Sequence, residues 1–183
     1  MRNRALRIGG AVKTLVLGIG NVLLQDEGLG IHALAELQRR FTFDEGIELL
    51  DGGTAGVELL RHLDGREHVI VIDAIAAGHP PGTVFRVEGE DVPRMFHLRI
   101  SPHQIGLSDV LATALITDSL PGEMVLFGME PETMTMGLAL TATAESSLGK
   151  LVDSVADELR RLGHRVEKRP DPAPRQLDWN PHS

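Results

Sequence analysis

Thr14 to Gly30 reads TLVLGIGNVLLQDEGLG, and how this stretch breaks decides the fold. The apolar run Leu15 to Leu17 stops at Gly18-Ile19-Gly20-Asn21, passes a second apolar patch, reaches the acidic pair Asp26-Glu27 and enters a helical pattern. That succession is a buried strand, a glycine turn and a helix start. In open α/β sheets, chemistry collects in the crevice outside the carboxyl ends of the strands, and this turn delivers a carboxylate there. Glu27 is the first candidate.

Outward from that turn, the same arrangement repeats. Ile31, Leu34, Leu37 and Phe41 recur at helical spacing and predict a helix of about three to four turns with its apolar stripe on the sheet. Ile47 to Leu50 predicts a second strand, ending at Asp51-Gly52-Gly53-Thr54, with a short helix over Ala55 to Leu63. His68 to Ile72, HVIVI, lacks polar alternation, as in a strand covered on both faces, and it ends at Asp73. Thr83 to Glu88 alternates apolar and polar residues after Pro80-Pro81-Gly82, which predicts a half-exposed, antiparallel edge strand. Ser101-Pro102-His103-Gln104 opens a loop before a helical face from Ile105 to Thr117, and Glu123 to Phe127 predicts another strand. From Thr141, the residues Leu148, Leu151, Val152, Val155, Leu159 and Leu162 keep a helical period, with Gly163 as a left-handed cap. The pattern is a single-domain three-layer α/β/α sandwich whose central sheet is mostly parallel and mixed at an edge. The expected domain spans 14–163, after a flexible extension at 1–13 and before a proline-rich tail at 164–183.

Composition narrows the function. The 183 residues suit one compact core, and a formal net charge of -8 argues against a nucleic-acid or anionic-membrane surface. Without cysteine there is no disulfide, thiolate metal site or cysteine nucleophile, so any metal ligand must be His, Asp, Glu or backbone oxygen. Apolar runs are strand-sized and Met1 to Val12 lacks the apolar segment of a secretory signal, so a cytoplasmic protein, a monomer, is expected. The dinucleotide motif fails because its third glycine would fall on Leu23. Phosphate-loop, zinc-helix and nucleophile-elbow motifs are absent from the sequence.

A dispersed set remains: Glu27, Asp73 and His103, with Asp51 nearby. Two carboxylates and an imidazole suit a borderline divalent ion such as nickel or zinc, with positions left open for substrate or water. Each residue also has a structural reading. Asp26 and Glu27 can favour a helix start, Asp73 can accept in an Asx-turn, and His103 can be a loop histidine; spacing alone favours those readings. Met129, Met134 and Met136 fit either core filling or a soft groove for a peptide, core filling being the commoner use of methionine.

The segments LVLGIGNVLLQDEGLG, LLDGGTAGVELL, VIVIDAI, SPHQIGLSDVL and GLALTATAE stand in the same order as in the nickel-iron hydrogenase maturation endopeptidases, which the chain resembles from about Thr14 to about Leu162. The likeness is greatest to proteases that process the large subunit of uptake-type hydrogenases. It implies an endopeptidase that removes the C-terminal extension of the large-subunit precursor after nickel insertion. Glu27, Asp73 and His103 would contact nickel and serve catalysis, and Asp51, Gly52, Gly53 and Thr54 would select the cleavage site. Nickel would arrive with the substrate rather than as a resident cofactor. Ala139 and Leu140 depart from the family pattern just before Thr141. The rival reading is a non-catalytic metal-binding chaperone for the same precursor.

Overall fold

The computed structural model describes residues 13–54, 59–89, 91–92, 95 and 122–171. The strands are β1 (Thr14–Ile19), β2 (Phe41–Phe43), β3 (Ile47–Gly53), β4 (His68–Ala74), β5 (Val84–Glu88), β6 (Glu123–Met129) and β7 (Val166–Lys168). The helices lying wholly within the described residues are α1 (Leu29–Arg40), α2 (Leu60–Leu63) and α3 (Ala142–Arg161). Five strands form one sheet in the order β3-β1-β4-β6-β5, parallel except for β5, which pairs antiparallel with β6. The mixed sheet and its antiparallel edge strand are those expected from the alternation in Thr83 to Glu88.

Strand alternation divides the core into two layers. Val16, Ile70, Ile72, Val125 and Phe127 pack with α1 and α3 on one face. Leu15, Leu17, Ile19, Val69, Val71 and Leu126 pack on the other with Leu59, Leu63, Val92 and Met95. Both faces of β4 are therefore covered, which is why its sequence shows no polar alternation. Each fully buried leucine or isoleucine in these layers contributes about 1.5–3 kcal/mol through water exclusion.

Helix α1 lies unusually close to the strands because Gly30 carries no side chain. A Cβ on Gly30 would stand 2.3 Å from the Ile19 carbonyl oxygen and 2.4 Å from that of Ile72. The helix thus starts directly above β1 and β4. It ends at Arg40, one residue before the expected apolar stripe does. Phe41 instead opens β2, which pairs antiparallel with β7, and its ring lies 5.3 Å from the Arg40 guanidinium and 5.5 Å from that of Arg160. Cation–π contact and strand pairing outweigh helix continuation there.

Helix α3 starts and stops as predicted. The Thr141 hydroxyl accepts from the Ala144 N–H at 3.2 Å, a cap for one of the helix's unpaired donors. At the other end Gly163 takes φ 90°, its N–H donating to the Arg160 carbonyl and that of His164 to the Leu159 carbonyl, which is a Schellman motif. The chain beyond Gly163 then keeps packing through β7, so residues 164–169 of the expected tail belong to the folded body. The helix predicted over Ile105 to Thr117 lies outside the described residues. Among the described residues no helix is long and apolar enough to cross a membrane.

Candidate active site

The connection from β1 goes to β3 on one side, and the connection from β4 goes towards β6 on the other. The carboxyl ends of β1 and β4 therefore flank the point where strand order reverses, the usual ligand crevice of such a sheet. Three expected site segments converge on that edge.

Asp73 is the penultimate residue of β4, opposite Gly128 of β6, and is fully buried at 0% exposure. By alternation it shares the sheet face of Val69 and Val71. Glu27 lies in a short 3-10 turn, Gln25–Gly28, that joins β1 to α1 and touches β4. It is 3% exposed. Its position depends on Gly20, whose φ is 140° and whose N–H donates to the Gly53 carbonyl at 2.9 Å. A Cβ on Gly20 would fall 1.8 Å from the Glu27 carbonyl oxygen, so the turn can fold onto β1 only over glycine.

Through that Gly20 bond, the end of β3 adjoins the same turn. A register shift between Gly18 and Ile19 leaves Gly53 opposite Ile19, and Gly53 itself takes φ 49°. Asp51 is exposed there, and its Oδ1 accepts from the Gly53 N–H at 2.8 Å. Desolvation by the surrounding chain pushes its carboxyl above the ordinary value, against the lowering effect of the Gly53 bond. Asp51 and Thr54 are thus accessible beside two buried acids, while Gly52 between them is buried against the sheet. His103 lies outside the described residues, among which no three His, Asp or Glu side chains gather as a metal cluster.

Adjacent acids in the turn have separate duties. Asp26 is buried, and its Oδ2 accepts from the Glu132 and Thr133 N–H groups at 2.9 and 3.4 Å and from the Thr141 hydroxyl at 2.9 Å. Its Oδ1 accepts from the Thr141 N–H at 2.8 Å. Asp26 therefore fastens the turn to the 130–141 loop and, through Thr141, to the start of α3, despite the altered residues at 139 and 140. Asp26 does not cap α1, whose N-cap Gly28 has no side-chain bond; it instead accepts from Thr141, the residue that caps a helix more than a hundred positions away. Nothing in local spacing signals that.

Glu130, also unanticipated, follows β6 and shapes the loop leaving Asp73. Its carboxylate accepts from the backbone N–H groups of Ala77, Gly78 and His79 at 2.6, 3.2 and 3.1 Å. The methionine groove resolves differently. Met129 is buried and Met134 packs on the core, whereas Met136 stands in solvent. The first two follow the alternation and depth of β6 and its exit; only the third is available to a ligand.

Comparisons with known proteins identify the family. A family model described as hydrogenase maturation protease matches residues 31–158. The hydrogenase 2 maturation protease of Escherichia coli K12 is 40% identical over 153 residues, covering 83% of this chain and 93% of that protein. The hydrogenase expression/formation protein HoxM of Cupriavidus necator is 36% identical over 171 residues, covering 92% of this chain and 85% of its own length. The solved structure of the hydrogenase maturating endopeptidase HybD from E. coli superposes with a TM-score of 0.83 at 39% identity, covering 86% of this chain and 98% of that one. The chain belongs to the hydrogenase maturation proteases and is a peptidase.

Proposed function

We propose that this protease removes the C-terminal extension of a nickel-loaded [NiFe] hydrogenase large-subunit precursor, with the substrate's nickel as the recognition signal. The observation that carries the reading is the pair of buried carboxylates, Glu27 and Asp73, on adjoining elements at the reversal point of the sheet. Oxygen donors of this kind together with the His103 imidazole suit a borderline divalent ion. The metal belongs to the substrate, so the protein needs only to complete its coordination.

Docking on the nickel would hold the scissile peptide near Glu27 and Asp73, turning a bimolecular encounter into a positioned one. A carboxylate beside the ion would take a proton from water, and the ion would polarise the peptide carbonyl. Exposed Asp51 and Thr54, on a segment tied to the turn through Gly20, would contact the residues flanking the bond.

Mass spectrometry of the precursor incubated with this protein, nickel-loaded and nickel-free, tests the reading. Loss of one C-terminal peptide from the loaded sample alone is the expected result. Cleavage of both samples would remove nickel recognition, and cleavage of neither intact, folded precursor would remove the substrate assignment.

A further inference from the structure

Leu23, Met136 and Leu138 are the large hydrophobic side chains left in solvent among the described residues, at 49%, 89% and 70% exposure. They come from two segments that meet. The Gly137 N–H donates to the Leu23 carbonyl at 2.9 Å and the Gln25 N–H to the Gly137 carbonyl at 2.8 Å, with Leu24 and Gly137 bridged as in a parallel ribbon. Gly137 thus sits between the two exposed loop side chains and against the segment that runs into Glu27.

This surface is held firmly. Gln25 takes the left-handed φ of 47°, costly for a residue with a side chain, and its side-chain oxygen accepts from the Thr135 hydroxyl at 2.8 Å. Asp26 pins the same loop at Glu132, Thr133 and Thr141. Apolar side chains shown to water on a fastened loop are preorganised for binding, because little chain entropy remains to be lost. An unbranched methionine at its centre lets the surface adapt to its occupant.

We infer that Leu23, Met136 and Leu138 form a docking surface for an apolar stretch of the polypeptide substrate, next to the bond presented to Glu27 and Asp73. The inference rests on the proposed function for the identity of that polypeptide. Continuity selects the occupant: Leu23 lies four residues before Glu27 in a closed turn, so a chain reaching the buried acids has this patch beside it. Size agrees, since three side chains expose a few hundred Å², the scale of a peptide contact, against the about 800 Å² per partner of a stable dimer. A second copy seated there would also crowd the approach to Glu27.

The test measures KM and kcat for nickel-loaded large-subunit precursor with the full chain and with Met136→Ser/Leu138→Ser, together with calorimetric binding of the precursor to the Glu27→Gln form of each. Equal thermal unfolding would establish that the surface variant is folded, and Met136→Leu/Leu138→Met supplies an apolar control that should retain binding. KM and Kd should rise about ten-fold in the serine variant with kcat within about two-fold of the parent. Unchanged KM and Kd with cleavage intact would overturn the docking surface and leave the protease reading standing. Binding without cleavage by the parent, lost in the serine variant, would keep the surface and remove the cleavage reading. Absence of both binding and cleavage by the parent would overturn both. A parent dimer that the serine variant converts to monomer, with precursor binding unchanged, would assign the patch to self-association instead.

Discussion

The two ends of the sheet carry acidic residues in opposite circumstances. At the amino end, Asp44, His164 and Thr14 form the acid-imidazole-hydroxyl series familiar from hydrolases: His164 Nδ1 lies 3.1 and 3.3 Å from the Asp44 oxygens, and Nε2 lies 2.7 Å from Thr14 Oγ1. At the carboxyl end, Glu27 and Asp73 show no such familiar order. Yet Thr14 is completely buried as the first residue of β1, while Asp44 also accepts from the backbone of Gly46 and Arg165. The amino-end series is a clasp joining β1, the β2–β3 turn and the end of α3. Residue types in catalytic order do not make a site; access and the direction in which the parallel strands point decide it.

The largest expected effect lies at the carboxyl end. Glu27→Gln and Asp73→Asn should each lower precursor processing by about a thousand-fold, with Glu27→Gln keeping native circular dichroism; His103→Ala, at a residue outside the described ones, is expected to lower processing as far with native circular dichroism. Processing at the parent rate by the Glu27 and Asp73 variants would erase the functional contrast between the two ends.

Asp26→Ala ranks next. It leaves the Glu132, Thr133 and Thr141 donors without their acceptor, and denaturant unfolding should show a loss of about 3 kcal/mol. Hydrogen exchange should quicken in residues 132–141 before the rest of the sheet. A stable variant with unchanged exchange would show that the turn holds its shape without Asp26, and would weaken the case that one of the paired acids is structural and its neighbour functional.

That pair marks the limit of what the sequence makes legible. The five strands of the main sheet, the mixed edge, α3 with its Gly163 cap and the placing of Glu27, Asp51 and Asp73 at strand ends follow from periodicity and turn residues, because these are local signals. Asp26 and Glu130 satisfy backbone donors far away in the chain, and no local pattern encodes such a contact. The same holds for Phe41, which fits a helical stripe but is taken into β2 by strand pairing and two guanidiniums. Leu23 and Leu138 read as ordinary apolar residues until the bridge at Gly137 brings them together.

At the amino end, a smaller effect with a characteristic pH dependence is expected. Desolvation raises the Asp44 pKa, but bonds from the Arg165 and Gly46 backbone and from His164 outweigh it and hold the carboxyl below its usual value. A depressed folded-state pKa contributes stability that is complete above the unfolded value of about 3.9 and is lost as pH falls through the lower folded value. Asp44→Asn should therefore cost about 1–2 kcal/mol at neutral pH, a deficit that shrinks in acid, with processing unaffected. A deficit that persists unchanged to low pH would show that the clasp owes its strength to shape rather than to the carboxylate charge.

The smallest expected effect is the most direct test of the comparison. Thr14→Val preserves shape and β-branching at a buried strand position and removes only the hydroxyl. If His164 Nδ1–H donates to Asp44, its Nε2 accepts from Thr14, and losing that donor should cost about 1 kcal/mol in denaturant unfolding. Precursor processing should match the parent, since a hydroxyl closed off beneath the amino end of β1 cannot reach a peptide held at the opposite end of the strand. A β-strand rises about 3.3 Å per residue, so the six residues of β1 separate Thr14 from the Glu27 turn by far more than a bond-making distance. Loss of processing in a stably folded Thr14→Val protein would make the buried clasp the working site and reverse the assignment of the two ends.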